Sequence, residues 1–220
     1  MLRRLEFESD FFSMEYGEND CLSAQDAELM KYDVVQCLSD RFEKETKAFR
    51  YEDSRITFIK GIESTKSTKS LRYPFRKAVG SDIPKLNEAL ISPLVKHSRF
   101  CTVTTFSKCL AFYTLWANKA ILGTFDDEAY LLEEDGEIIA FVSVRLRQKD
   151  ASIGLLMVHP DHQEEGVGKA LVRYIEELLG HRGMNFLSVV TEGKNVKARA
   201  FYERLGFIEQ DVSHWYYWRK

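Results

Sequence analysis

The chain has 220 residues, of which 45% are hydrophobic and 30% are charged, with only four prolines. This composition excludes long disordered segments and indicates a globular protein. The net charge of -3 requires no strongly basic face, so nucleic acid is a poor first candidate for a partner. No apolar run has the length of a membrane-spanning helix or the pattern of a signal peptide, so we expect a cytoplasmic protein.

The cysteine spacing argues against a metal centre. None of the four cysteines belongs to a C-x-x-C pair, and no histidine lies at a spacing typical of zinc sites. A chain of this size and core content does not need disulfides, so we expect reduced and mostly buried thiols. These residues are Cys21, Cys37, Cys101 and Cys109.

The first 70 residues are predicted to form a small α/β unit. Apolar residues recur every four positions and predict a helix over residues 25–42, while the alternation of residues 55–59 predicts a strand. A polar run at residues 64–70 is typical of a linker, and a surface hairpin within one domain is the alternative. We therefore expect residues 1–70 to pack on a larger domain, residues 71–220.

The middle of the chain alternates short strands and helices. Asp135-Gly136 between two apolar runs predicts a hairpin, and both faces of its second strand are apolar, which is typical of a central strand. The pattern predicts strands over 76–79, 130–132, 138–146 and 153–158, and helices over 81–90 and 108–121.

A glycine-containing turn precedes the most strongly periodic helix, which is predicted over residues 167–179. Gly166 and Gly168 lie at the start of this helix, where unpaired N–H groups and the helix dipole favour an anion. Neither glycine carries a Cβ, so a ligand can approach the backbone closely. The turn is therefore a candidate site for a phosphate-bearing cofactor.

The C-terminal part completes a mixed sheet with helices on both faces. Asn195 is a candidate N-cap of a short helix that ends at Gly206, and strands are predicted over 186–190, 207–209 and 215–218. The aromatic strand at 215–218 is a candidate exposed edge, which would be compatible with a homodimer. The predicted fold class is α/β.

Three features together resemble the GNAT acyltransferases over about residues 75–220. Gln163-x-x-Gly166-x-Gly168 is similar to the pyrophosphate-binding turn of that family, and residues 154–160 are similar to the strand that runs beside pantetheine. The third feature, from Asn195 through Phe201-Tyr202 to Gly206-Phe207, is similar to the last helix of the family.

The resemblance implies acetyl-CoA as co-substrate, no metal, and a defined set of contacts with CoA. The backbone near Met157 or Val158 would polarise the thioester carbonyl, and the turn would hold the pyrophosphate. The implied contacts are Leu156, Met157, Val158, Gln163, Glu164, Gly166, Val167, Gly168, Lys169, Ala170, Asn195 and Ala198.

Tyr202 is the candidate general acid, because a phenol stays protonated at neutral pH and can donate to a departing thiolate. Packing in the core is its alternative role. Asn195 also has two candidate roles, a hydrogen bond to pantetheine or an N-cap that needs no ligand. His159 and His162 flank the turn, but solvated loop histidines are the simpler interpretation, and an ordered water would serve equally well as proton acceptor.

A narrower resemblance, to the acetyltransferases of dTDP-4-amino-4,6-dideoxygalactose, extends to the N-terminal residues 5–12. Phe7 departs from the tryptophan that this branch often carries, and the segment after Phe100 also differs. The implied partner is a small amine acceptor, a nucleotide-linked amino sugar, held by Arg99, Phe100, Tyr113 and Trp116. The two helix aromatics also fit a core-facing stripe. A peptide amine as acceptor and a non-catalytic CoA-binding protein are the alternatives.

Overall fold

The computed structural model describes residues 1–23, 26–44, 48–63, 73–86 and 88–220. Within these residues ten strands form one mixed sheet in the order β1-β2-β3-β10-β4-β9-β8-β7-β6-β5. The strands are β1 (Arg3–Arg4), β2 (Tyr16–Asn19), β3 (Val34–Ser39), β4 (Arg50–Gly61), β5 (Arg76–Lys77), β6 (Glu128–Glu134), β7 (Glu137–Arg147), β8 (Asp150–Val158), β9 (Phe186–Glu192) and β10 (Ile208–Arg219).

In the described ranges six α-helices connect the strands, and short 3-10 helices occur at Gly80–Lys85, Arg99–Thr102 and Pro160–His162. The helices are α1 (Glu6–Phe12), α2 (Asp26–Leu29), α3 (Glu88–Val95), α4 (Phe106–Ile121), α5 (Val167–His181) and α6 (Val196–Arg204). No helix in the described part of the chain has both the length and the apolar character needed to cross a bilayer.

The helices cover both faces of the sheet, as the sequence predicted. On one face Leu171 and Ile175 of α5 and Tyr202 of α6 join a core cluster with the central strands. On the other face α3 and α4 contribute Leu90, Ile91 and small alanines to a second cluster. The second hairpin strand, β7, has side chains in both clusters, which confirms that it is central.

The predicted helix over residues 25–42 is wrong. Helical structure is limited to α2, and residues 34–39 form strand β3 instead. The first four residues of β3 are buried consecutively, as in a strand that is covered on both faces. Over so few residues such a strand and a helix can show the same apolar pattern, which is why the helix was predicted. Tertiary contacts on both faces decided the outcome.

The C-terminal aromatic strand is not an exposed edge of the sheet, so that expectation is wrong. Residues 208–209 and 215–218 belong to one long strand, β10, together with the residues between them, and Phe207 lies directly before this strand. It pairs antiparallel with β3 on one side and with β4 on the other. The feature that was compatible with a homodimer is therefore an interior strand.

The predicted linker, residues 64–70, lies outside the described residues. The division at residue 70 stays a prediction, although strands from both sides of it share the sheet: β4 lies between β9 and β10. The remaining predicted elements from residue 76 onward are present with small changes at their ends. The main change is a break at Leu86, which separates the Gly80–Lys85 turn from α3.

Candidate active site

A wedge between β8 and β9 forms the candidate site. These parallel strands pair only from Asp150/Phe186 to Ile153/Val189. Beyond that point β8 continues to Val158 and β9 continues to Glu192 without pairing to each other. Separation of two neighbouring strands opens the sheet itself, and a cavity of about 560 Å³ occupies the opening.

A β-bulge in β8 lies at the mouth of this wedge. Val142 opposes Leu156 and Val144 opposes Ile153, so β8 carries one more residue than β7 over this interval. The extra residue reverses which face later side chains point to. Ile153 joins the cluster under α5, whereas Leu155 joins the cluster under α3 and α4.

A buried carboxylate network fixes the bulge. The Asp126 side chain has no solvent exposure, and its Oδ2 accepts from the Ser143 hydroxyl (2.6 Å) and from Trp116 Nε1 (2.8 Å). Arg145 pairs with the other oxygen at 2.9 Å. The Leu155 N–H donates to Ser143 Oγ at 2.9 Å, which satisfies the backbone group displaced by the bulge.

Gly154 is required by this network. A Cβ on Gly154 would lie 2.2 Å from Asp126 Oδ2 and 2.8 Å from Ser143 Oγ. A glycine inside a buried strand pattern is the sequence signal of a bulge or of such a close approach. Asp126 and Ser143 themselves carry no sequence signal, because their proximity arises from the register of β6 and β7.

The register of β8 determines which backbone donors point into the wedge. The His159 N–H donates to the Ile139 carbonyl of β7. Backbone N–H groups along a strand point alternately to its two sides, so the Met157 N–H also points to β7. Leu156 and Val158 therefore present their N–H groups to the open side. As donor to the thioester carbonyl, the register therefore favours the Val158 N–H over the Met157 N–H. It also makes the Leu156 N–H a candidate donor.

The glycine turn has the geometry of an anion site at a helix start. Gly166 is the N-cap of α5 with φ 85°, a left-handed conformation that favours glycine. The N–H groups of Val167, Gly168 and Lys169 have no hydrogen-bond acceptor among the described residues. The Ala170 N–H donates to the Gly166 carbonyl at 2.9 Å within the helix, and its expected contact with CoA stays a prediction.

Gln163 and Glu164 belong to the backbone of the same turn. The Gln163 side chain donates weakly to the Val158 carbonyl at 3.4 Å, which joins the turn to the end of β8. Glu164 has a left-handed φ of 72° in this loop and is not among the described residues that line the cavity. His159 and His162 are partly exposed beside the turn, and neither lines the cavity.

Helix α6 brings Tyr202, Asn195 and Ala198 to the wall of the cavity. Tyr202 is 5% exposed, and burial raises the pKa of its phenol well above the usual value. Its ring also packs against Phe58 and Phe207, so the packing and cavity roles coincide. Asn195 Oδ1 accepts from the Ala198 N–H at 3.2 Å, which shows the N-cap, while its Nδ2 keeps donor capacity.

The four predicted acceptor residues line the same cavity. The rings of Tyr113 and Trp116 stack at 5.9 Å with an angle of 10°, and both also pack on the core beneath α4. The Arg99 guanidinium lies between the rings of Phe100, at 4.1 Å, and Trp215, at 4.0 Å. Within the described chain, no carboxylate lies within 4 Å of Arg99.

Glu192, at the end of β9, is a cavity residue that the sequence did not reveal. Its Oε2 is buried and has no hydrogen-bond partner among the described residues. Burial raises the pKa of this carboxyl group to about 7, although Arg99 favours the charged form. The predicted strand ended at Val190, so nothing marked Glu192 as part of the wedge.

Comparison with known proteins identifies relatives of this architecture. A family model described as the acetyltransferase (GNAT) family matches residues 93–207. The [ribosomal protein bS18]-alanine N-acetyltransferase of Escherichia coli K12 is 31% identical over 105 residues, which covers 46% of this chain and 70% of that protein. The dTDP-fucosamine acetyltransferase of E. coli O6:H1 is 31% identical over 140 residues, covering 62% of this chain and 59% of that protein.

The fold has solved counterparts. A protein described as a GNAT-family acetyltransferase from Novosphingobium aromaticivorans superposes with a TM-score of 0.55 at 16% identity. The match covers 100% of this chain and 88% of that structure. At this identity the likeness concerns the fold alone.

Proposed function

The chain belongs to the acetyltransferase (GNAT) family and is an N-acyltransferase, and we propose that its acceptor is a nucleotide-linked amino sugar. The acetyl group of acetyl-CoA would pass to the amine of a compound such as dTDP-4-amino-4,6-dideoxygalactose. The observation that carries the acceptor proposal is Arg99, an arginine without a carboxylate partner in the described chain, held between two aromatic rings in the wall of the cavity.

Acetyl-CoA fits the wedge from the glycine turn inward. The free N–H groups at Val167, Gly168 and Lys169 would hold the pyrophosphate, since a helix N-terminus favours anions. The pantetheine arm would follow the open side of β8, with Asn195 Nδ2 as a donor from α6. The Leu156 N–H, directly after the bulge, would then donate to the thioester carbonyl oxygen.

The chemistry requires stabilisation of an oxyanion and a proton for the leaving sulfur. A backbone donor aimed at the developing oxyanion contributes ~3–4 kcal/mol in enzymes where one has been removed. Tyr202 would protonate the CoA thiolate as the C–S bond breaks, because burial keeps its phenol in the protonated form. Its position in the cavity wall supports this role.

The cavity is basic and aromatic. Four arginines, Arg55, Arg99, Arg145 and Arg147, line it, and of the three acidic residues there Asp126 is neutralised by Arg145. A guanidinium matches the geometry of a diphosphate, and aromatic faces match a thymine or sugar ring. This balance favours a nucleotide sugar over a cationic peptide.

A peptide amine is the second candidate acceptor. The bS18-alanine acetyltransferase, named for a protein substrate, is matched over 70% of its length and supports this alternative. A CoA-binding protein without catalysis is disfavoured by the presence of Tyr202 in the cavity.

Thiol release from acetyl-CoA distinguishes these acceptors. The assay compares dTDP-4-amino-4,6-dideoxygalactose, the same sugar without its nucleotide, and an alanine-terminal peptide. The proposal predicts turnover with the nucleotide sugar and a higher KM for the free sugar, which lacks the diphosphate. Turnover with the peptide alone would replace the acceptor proposal.

A further inference from the structure

We propose that Glu192 accepts the proton that leaves the acceptor amine. The inference rests on the proposed amine acetylation, and it assigns the proton acceptor, for which the sequence offered only two loop histidines or an ordered water. Neither histidine beside the glycine turn reaches the cavity, whereas His97 and Glu192 both line it. Of these two, Glu192 is the one with a buried side-chain atom that has no hydrogen-bond partner among the described residues.

The location of Glu192 follows from the separation of the strands. It is the last residue of β9, on the opposite side of the wedge from the Leu156–Val158 segment. The separation of the two strands opens the cavity, and Glu192 is one of the residues that line this ligand-sized space.

The hydrogen bonding of Glu192 leaves one oxygen available. Its Oε2 is shielded from solvent and has no partner among the described residues, an arrangement that costs free energy unless a ligand supplies a donor. An amine bound in the cavity would supply that donor. Buried and unsatisfied polar groups of native proteins often have such a functional reason.

Charged and titratable groups from several neighbouring elements act on this carboxyl group. Burial raises its pKa to about 7; Asp53 raises it further, while Arg99, Arg55 and Lys194 lower it. Tyr113 of α4 and Tyr217 of β10 face the same charge. A carboxylate with a pKa near neutrality has the proton affinity that a general base needs.

The step balances in atoms and charge. The amine nitrogen attacks the thioester carbonyl carbon, so a C–N bond forms as the C–S bond breaks. The Glu192 carboxylate takes the proton from nitrogen, and Tyr202 gives a proton to sulfur. Solvent then returns a proton from Glu192 to Tyr202, and the products are the amide and CoA thiol.

The test is the pH dependence of kcat/KM for the native chain and for Glu192→Gln. Acceptors are dTDP-4-amino-4,6-dideoxygalactose and an alanine-terminal peptide. For the native protein we expect a rise with an apparent pKa near 7. Glu192→Gln should lose that limb and fall about 10²–10⁴-fold in rate, with acetyl-CoA affinity by calorimetry unchanged. Glu209→Gln, an exposed glutamate of β10, is the matched control and should behave as the native chain.

Failure of the two proposals can be told apart. Turnover of the peptide alone removes the nucleotide sugar as acceptor, while the peptide profile still tests Glu192. If Glu192→Gln keeps the native rate and the native rise of kcat/KM with pH, the role of Glu192 is overturned even if the sugar nucleotide is the acceptor.

A thermal measurement tests the buried carboxylate without any acceptor. Because the folded pKa is raised, the native protein loses stability as pH rises from about 4.5 through 7. Glu192→Gln lacks this loss, so its Tm relative to the native chain should be higher at pH 8 than at pH 5. A difference that does not change with pH would contradict the inference.

Discussion

Substitution of Gly154 by alanine tests the close approach that shapes the bulge. The new Cβ would lie 2.2 Å from Asp126 Oδ2, far inside the contact distance, so the carboxylate or the strand must move. Overpacking of this kind costs about 1–3 kcal/mol. Displacing the carboxylate would also weaken a hydrogen bond to a charged group, worth about 1.5–3 kcal/mol.

Alanine also restricts the unfolded chain, which returns about 0.4–1 kcal/mol, so the net expected loss is about 2–5 kcal/mol. For a chain of this size that corresponds to a fall in Tm of about 4–20 °C. Urea unfolding followed by circular dichroism measures the free energy directly. Fluorescence of the Trp116 indole, which donates to the same carboxylate, should report the displaced network.

Gly168→Ala is the matched control for this substitution. Its Cβ would meet Val158 and Phe201 at 3.4 and 3.5 Å, ordinary contact distances. Because Gly168 lies in the first turn of α5, its replacement should leave stability unchanged or raise it by a few tenths of a kcal/mol. If Gly154→Ala lost less than about 1 kcal/mol, comparable to the control, the network would not constrain the bulge as described.

Three further predictions concern Tyr202, Arg99 and Glu128. Tyr202→Phe should lower kcat about 10²-fold or more with unchanged CoA affinity; a native kcat, with chemistry shown to limit the rate, would remove the general-acid role. Arg99→Lys should raise KM for the nucleotide sugar at least about 10-fold, since it loses charge-assisted hydrogen bonds, while KM for acetyl-CoA stays constant; equal effects on both would indicate misfolding. For Glu128, burial is outweighed by hydrogen bonds from Arg182, Tyr130 and Lys77, which lower its pKa to about 2. The native protein should therefore lose on the order of 2–3 kcal/mol as pH falls from about 5 to 2, and acid titrations of Glu128→Gln should show a flatter dependence.

The local pattern predicted the part of the fold from residue 76 onward because its signals are short-range. The Asp135-Gly136 turn, the periodicity of α5 and the N-cap at Asn195 each depend on neighbours within a few residues. The same reasoning failed for residues 34–39, where apolar residues fill both faces of a strand. There the contacts that decide between helix and strand come from β2 and β10.

Some residues of the candidate site were likewise found from local sequence patterns, and others were not. The sequence located the glycine turn and Tyr202, because a helix start and a helix face are local properties. It did not locate Glu192 or the Asp126–Ser143 pair. Their roles depend on strand separation and strand register, which no local pattern encodes.

The sequence by itself therefore determined the helix start that we propose binds a phosphate group and the phenol that we propose as the acid, since both follow from short segments. Tertiary structure alone decided how the cavity is enclosed. Parting of β8 from β9 exposes Glu192, the bulge at Gly154 redirects the β8 donors, and folding of β10 into the sheet interior brings Trp215 against Arg99. Each of these depends on residues far apart in the chain, whose contacts form only when the sheet assembles.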